Sequence, residues 1–114
     1  MATTFDFSAQ VVQVFTFKLN GGEVAKFIAS MALTVIHISF YNMSGGTALT
    51  SAASVANAGS TIASSSAVLA ADTTEEKEGG DLSNTTIANG ADVTVTAGDL
   101  PTAIAISCYP TYTP

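Results

Sequence analysis

The chain has 114 residues, which is room for one ordinary domain and not for two. Hydrophobic residues make up 47%, enough for a core and too many for wholesale disorder, while charged residues make up only 11%, against about a quarter in an average soluble domain. The net charge is −6, arginine is absent and Lys18, Lys26 and Lys77 are the only strong cations, so nucleic acid and anionic membrane surfaces are poor partners.

Val11 to Leu19 alternates as a strand does, with Phe15, Phe17 and Leu19 on one face and Thr16 and Lys18 on the other. Asn20-Gly21-Gly22 ends the run as a turn. Glu23 to Ala32 fits two periods. Val24, Phe27, Ile28 and Met31 form a helical stripe, whereas Phe27, Ala29 and Met31 share one face of a strand. The Gly pair before it and the β-rich neighbours favour the strand. Leu33 to Met43 is the strongest β signal, with Ile36, Ile38 and Phe40 on one face and Val35, His37, Ser39 and Tyr41 on the other. Both faces are fairly apolar, which predicts a central strand or one covered on both sides.

Thr47 to Ala71 is rich in Ala and Ser and low in complexity; a helix over Ile62 to Ala71 competes with short strands and long loops. Asp72 to Asp81 carries five acids and one lysine and, with Gly79 and Gly80, predicts an exposed flexible loop over 72–81. Val93 and Val95 then face inward, with Thr94 and Thr96 outward. A turn at Ala97 to Pro101 leads to Ile104, Ile106 and Cys108, alternating with Ala103, Ala105 and Ser107. The segment 109–114 is rich in proline and predicts a tail outside any central strand. The whole predicts an all-β, single-domain antiparallel β-sandwich or jelly roll over residues 1–114, of five to eight strands, with one short helix at most. An N-terminal arm, 1–10, precedes it.

The residues offer little chemistry. Cys108, the single cysteine, excludes an intramolecular disulfide and any zinc site built from several cysteines. It sits on an apolar face and reads as a buried, unreactive thiol. His37 is the single histidine, set between Ile36 and Ile38, and reads as a satisfied strand or interface residue. No acid–base–nucleophile set is visible, so no enzyme, cofactor or metal is expected. Asp72, Glu75, Glu76, Glu78 and Asp81 lack the alternation of a calcium loop and read as a solvated charge run. Asn42-Met43-Ser44 and Asn84-Thr85-Thr86 match the glycosylation pattern, which is frequent by chance. Phe5 and Phe7 flank Asp6 near the start, and Tyr109 and Tyr112 sit among prolines near the end. Aromatics so placed serve as docking arms or fold back on their own core. The start, Met1-Ala2-Thr3-Thr4-Phe5-Asp6, has neither a basic region nor an apolar signal core, which predicts synthesis in a reducing cytoplasm.

With its Met1-Ala2-Thr3-Thr4 start, its Thr/Ala/Ser-rich β texture and the run Thr85-Thr86-Ile87-Ala88-Asn89-Gly90-Ala91-Asp92-Val93-Thr94-Val95-Thr96, the chain resembles the small β-sandwich decoration, or cement, proteins of tailed bacteriophage capsids. The resemblance lies in general texture and carries over no residue. It implies a virion protein, made in the host cytoplasm, that forms a trimer on the major capsid protein lattice and bridges its subunits. The competing expectations are a head fibre, tail or baseplate component, and a small carbohydrate-binding β-sandwich module. Against the sugar-binding module, Trp is absent and only three tyrosines offer a ring with a hydroxyl.

Overall fold

A computed structural model describes residues 12–111. The strands are β1 (Gln13–Leu19), β2 (Val24–Ile28), β3 (Leu33–Asn42), β4 (Ser54–Asn57), β5 (Ser60–Ser64), β6 (Thr74–Glu78), β7 (Thr86–Ile87), β8 (Asp92–Thr96) and β9 (Thr102–Pro110). All pairings are antiparallel. One sheet has the order β1-β9-β3-β6, with β7 also on β3; the other has β2-β8-β4-β5.

The order has a simple origin. Strands pair as a nested ribbon: β4 with β5, β3 with β6, β2 with β8 and β1 with β9. Folding that ribbon over brings β9 onto β3 and β8 onto β4. Setting aside the two-residue β7, this is the eight-stranded jelly roll, a sandwich of two four-stranded faces. The innermost hairpin turns at Ala58 and Gly59, both at positive φ (49° and 89°), the handedness that a two-residue loop between twisted strands requires.

Alternation delivers the core. Phe15, Phe17 and Leu19 point inward from β1, Val93 and Val95 from β8, and Ile104, Ile106 and Cys108 from β9. They meet Val55, Ile62, Leu49, Leu69 and Ile87 in one cluster. Phe40, fully buried, contributes about 1.5–3 kcal/mol by the usual transfer scale.

Three expectations are corrected, and one open alternative is resolved. The pairing of β3 with β9 shifts register between Val35 and His37, a β-bulge. The extra residue inverts the pattern before it, so Val35 is buried and Ile36 is exposed, the reverse of a strict two-residue period. The acidic segment 72–81 is no flexible loop: Thr74–Glu78 is an edge strand on β3, followed by a 3-10 turn at Gly79–Asp81. Of the two readings open for Ile62 to Ala71, the short strand with a long loop is the one present, since β5 ends at Ser64, and that 3-10 turn is the only helical element of the described residues. Finally, Tyr109 and Pro110 are not tail but the last two residues of central β9, with Pro110 opposite Leu33 at the strand's end, where its missing N–H costs little. The segment Glu23 to Ala32 resolves as a strand, β2.

The two long sides of the sandwich are closed differently. On one, Glu75 and Lys77 of β6 lie opposite Phe40 and Ile38 and pair at 2.8 Å. The Ser66 N–H donates to Glu75 at 2.7 Å, tying the segment after β5 to β6. Inward charges on an edge strand deter further strand pairing. Burial pulls the Glu75 carboxyl up, but Lys77 and the Ser66 amide outweigh it and leave it below its ordinary 4.5. On the other side, β1 and β2 close the sandwich with rings: Phe27 stacks on Phe15 at 5.3 Å and on Phe17 at 5.8 Å.

Candidate partner interface

The sequence makes β1 begin and β9 end at the same place, because Gln13 pairs with Cys108. Residues 1–11 and 112–114 therefore connect to neighbouring strands at one end of the five-stranded sheet. The start of β3 joins them there, with Leu33 opposite Pro110. The Thr111 N–H donates to the Ala32 carbonyl at 2.9 Å, and the Thr34 and Thr111 hydroxyls share a 2.7 Å hydrogen bond. These bonds hold the end of β9 in register with β3.

This end of the molecule is apolar. Among the described residues the exposed large hydrophobics are Val12, Val14, Val24, Ile28, Met31, Ile36 and Val68. Five of these seven, Val12, Val14, Ile28, Met31 and Ile36, belong to it; Val24 and Val68 do not. Val14 stands 58% exposed on the outer face of β1, beside Ser107 of β9. The bulge turns Ile36 out onto the same face. Along that face β9 presents the small residues Ala103, Ala105 and Ser107, flanked by Lys18 and Thr16 of β1 and by Ser39 and Tyr41 of β3. Concentrated exposed apolar surface of this kind marks interaction sites more often than lone exposed residues do.

Around the corner, between β1 and β2, lies a cleft of about 90 Å³. Gln13, Phe15, Phe27, Ile28, Met31 and Leu33 line it. Ligand pockets for drug-sized molecules run to roughly 300–1,000 Å³, so this cleft suits a single side chain.

The expected functional residues fare unequally. Phe5, Phe7, Tyr112 and the arm 1–10 lie outside the described residues. Tyr109 is half-buried, on the same outward face of β9 as Ser107. His37 is half-buried and its Nε2 lies 3.3 Å from Glu76. Cys108 is buried on the opposite face, and desolvation pushes its thiol above 9.0. The two residues are two positions apart across β3 and β9 and point away from each other, so the thiol and imidazole cannot act as a pair. The acids of 72–81 are split by the pleat of β6, with Glu75 inward and Glu76 and Glu78 outward. Among the described residues no three His, Cys, Asp or Glu side chains converge on one point. Asn42, inside a glycosylation match, is fully buried and its amide is committed to the carbonyls of Thr47 and Leu69.

Ile28, Met31 and Ile36 carry no partner signal in the sequence. The alternation of β2 turns Ile28 outward, the loop after β2 exposes Met31, and the bulge in β3 exposes Ile36. Neither protein-family models nor curated proteins yield a match to this chain.

Proposed function

We propose that the chain is a non-enzymatic structural protein of a virion, a decoration or cement protein that docks on the outer surface of an assembled phage head and bridges its subunits as a homo-oligomer, with a trimer as the expected state. The observation that carries the reading is the apolar end, where Val12, Val14 and Ile36 stand exposed close to the first and last described residues. A rigid two-sheet body with its exposed apolar side chains gathered at one end suits a module that adheres to a protein surface. The jelly-roll order, common among capsid and lectin domains, supports the reading by analogy only. The mechanism is mass action: a protein that binds the lattice and not its free subunits stabilises the lattice, and many copies multiply a weak contact.

The test is quantitative mass spectrometry of sedimented particles from the source, followed by rebinding of purified protein to stripped particles. A copy number comparable to the main shell subunit is expected, with Val14→Lys and Ile36→Lys reducing rebinding at unchanged melting temperature. A few copies per particle would place the protein in a head fibre, tail or baseplate. Absence from particles would overturn the reading, and a screen of immobilised sugars would follow.

A further inference from the structure

We infer that the cleft between β1 and β2 receives the Phe5-Asp6-Phe7 segment of a second copy of this chain. The inference rests on the homo-oligomeric part of the reading above and is independent of the capsid. The cleft is apolar, its floor is the Phe15–Phe27 stack, and exposed Ile28 and Met31 form its rim. At about 90 Å³ it is smaller than the closed cavity of roughly 150 Å³ that holds a benzene, but it is open on one side, so a phenyl ring would insert in part. Phe5 and Phe7 are spaced so that an extended segment puts both rings on one face and Asp6 on the other. One ring enters the cleft and the other lies against its rim. The backbone on either side is ready for such a guest, since among the described residues β1 pairs only with β9 and β2 only with β8, leaving an edge of each open. Strand addition of this kind joins main-chain hydrogen bonds to alternate side-chain pockets.

The donor is another copy because of what lies between. Gln13 lines the cleft, so for the chain's own Phe7 to enter, the backbone must reverse within Ser8-Ala9-Gln10-Val11-Val12. That stretch has no Gly, Pro, Asn or Asp, the residues that tight reversals use. Val11 and Val12 favour extension instead. An extended run from Val12 back to Phe5 would span about 23 Å, at roughly 3.3 Å per residue, enough to reach a neighbouring copy. The open β5–β6 side offers no comparable seat, because Glu75 and Lys77 occupy it.

The experiment is cysteine pairing in the full chain. Two single variants, Phe7→Cys and Met31→Cys, are mixed and oxidised; buried Cys108 stays out of the reaction. A disulfide-linked dimer containing one of each is expected, while the double variant in one chain yields linked oligomers. An intramolecular disulfide in the double variant that stays monomeric would show the segment folding back and would overturn the inference, as would no crosslink in either design. In parallel, sedimentation velocity should show Phe5→Ser/Phe7→Ser self-associating at least about 30-fold more weakly than the parent, the loss typical of one hot-spot aromatic, at the same melting temperature. Met31→Lys, on the receiving side, should do the same. A parent protein that stays monomeric at every concentration overturns the inference and leaves particle binding to be judged separately.

Discussion

Asn42 is the polar residue on which the fold depends most. It closes β3 with its side chain fully buried. Its Nδ2 donates to the carbonyls of Thr47 at 2.8 Å and Leu69 at 3.0 Å, and its Oδ1 accepts from the Ser44 N–H at 2.9 Å. The side chain thereby joins three segments that no strand pairing connects. Asn42→Ala removes all three bonds. Each is worth about 1 kcal/mol net, and an orphaned buried group costs about 1–3 kcal/mol more. The carbonyls are not orphaned, because Thr47 still accepts from the Ser44 hydroxyl at 2.6 Å and Leu69 from the Leu49 N–H at 2.9 Å. Only the Ser44 amide loses its partner. Together these terms give an expected loss of about 4–6 kcal/mol, or roughly 15–25 °C in melting temperature for a domain of this size. Asn42→Asp keeps the Ser44 contact but sets a carboxylate against two carbonyl oxygens, so at neutral pH it should be at least as destabilised. Urea and thermal unfolding followed by circular dichroism measure both. A loss below about 1 kcal/mol for Asn42→Ala, or a wild-type midpoint for Asn42→Asp, would refute the assignment of this network.

Deleting Thr73 to Gly80 should prevent folding or cause aggregation, checked by size exclusion and circular dichroism, because it strips β6 from β3 and bares the edge beside Ile38 and Phe40. Stability should fall in acid in part through Asp99, whose carboxylate accepts from the Thr50 hydroxyl, the Thr50 amide and the Ser51 amide, and so titrates below its ordinary 3.8. A lowered carboxyl pKa adds stability that is complete above 3.8 and is lost as pH falls through the folded-state value, so Asp99→Asn should flatten the acid limb of melting temperature against pH. Cys108 should resist a thiol reagent in the folded protein and react fully in denaturant, since burial both hides the thiol and disfavours its thiolate; rapid labelling of the native protein would contradict its placement.

Much of this fold could be read from alternation alone. Phe15-Thr16-Phe17, Val93-Thr94-Val95 and Ile104-Ala105-Ile106 each announce both a strand and its inward face. What escaped reading has physical causes. A period of two cannot register an inserted residue, so the bulge hid the exchange of Val35 for Ile36. Composition argued that Thr74 to Glu78 is solvated, yet an edge strand is held by main-chain bonds, which every residue type but proline can supply. Its inward charges, two residues apart on one face, are satisfied by each other and by Ser66, which lies nine residues upstream of Glu75. Tyr109 was legible as a terminal aromatic but not as part of a central strand, since proline is tolerated at a strand's last position. The apolar end was the least legible of all: it gathers residues from β1, β2, β3 and the loop after β2, and only the nested pairing brings them together.

That nesting also sets when the protein can fold. β9 lies between β1 and β3, so the five-stranded sheet has no centre until Thr102 to Pro110 has left the ribosome. The β4–β5 hairpin is the one pairing available early. In the nested set each later pair encloses the one before it, and the outermost, β1 with β9, joins opposite ends of the described chain. Closing such loops is slow, and until they close, Phe15, Phe17, Ile38 and Phe40 remain exposed on a translating chain. Thr102 to Pro110 should therefore emerge before cooperative folding begins, and a nascent chain stalled short of Thr102 should be a ready chaperone substrate.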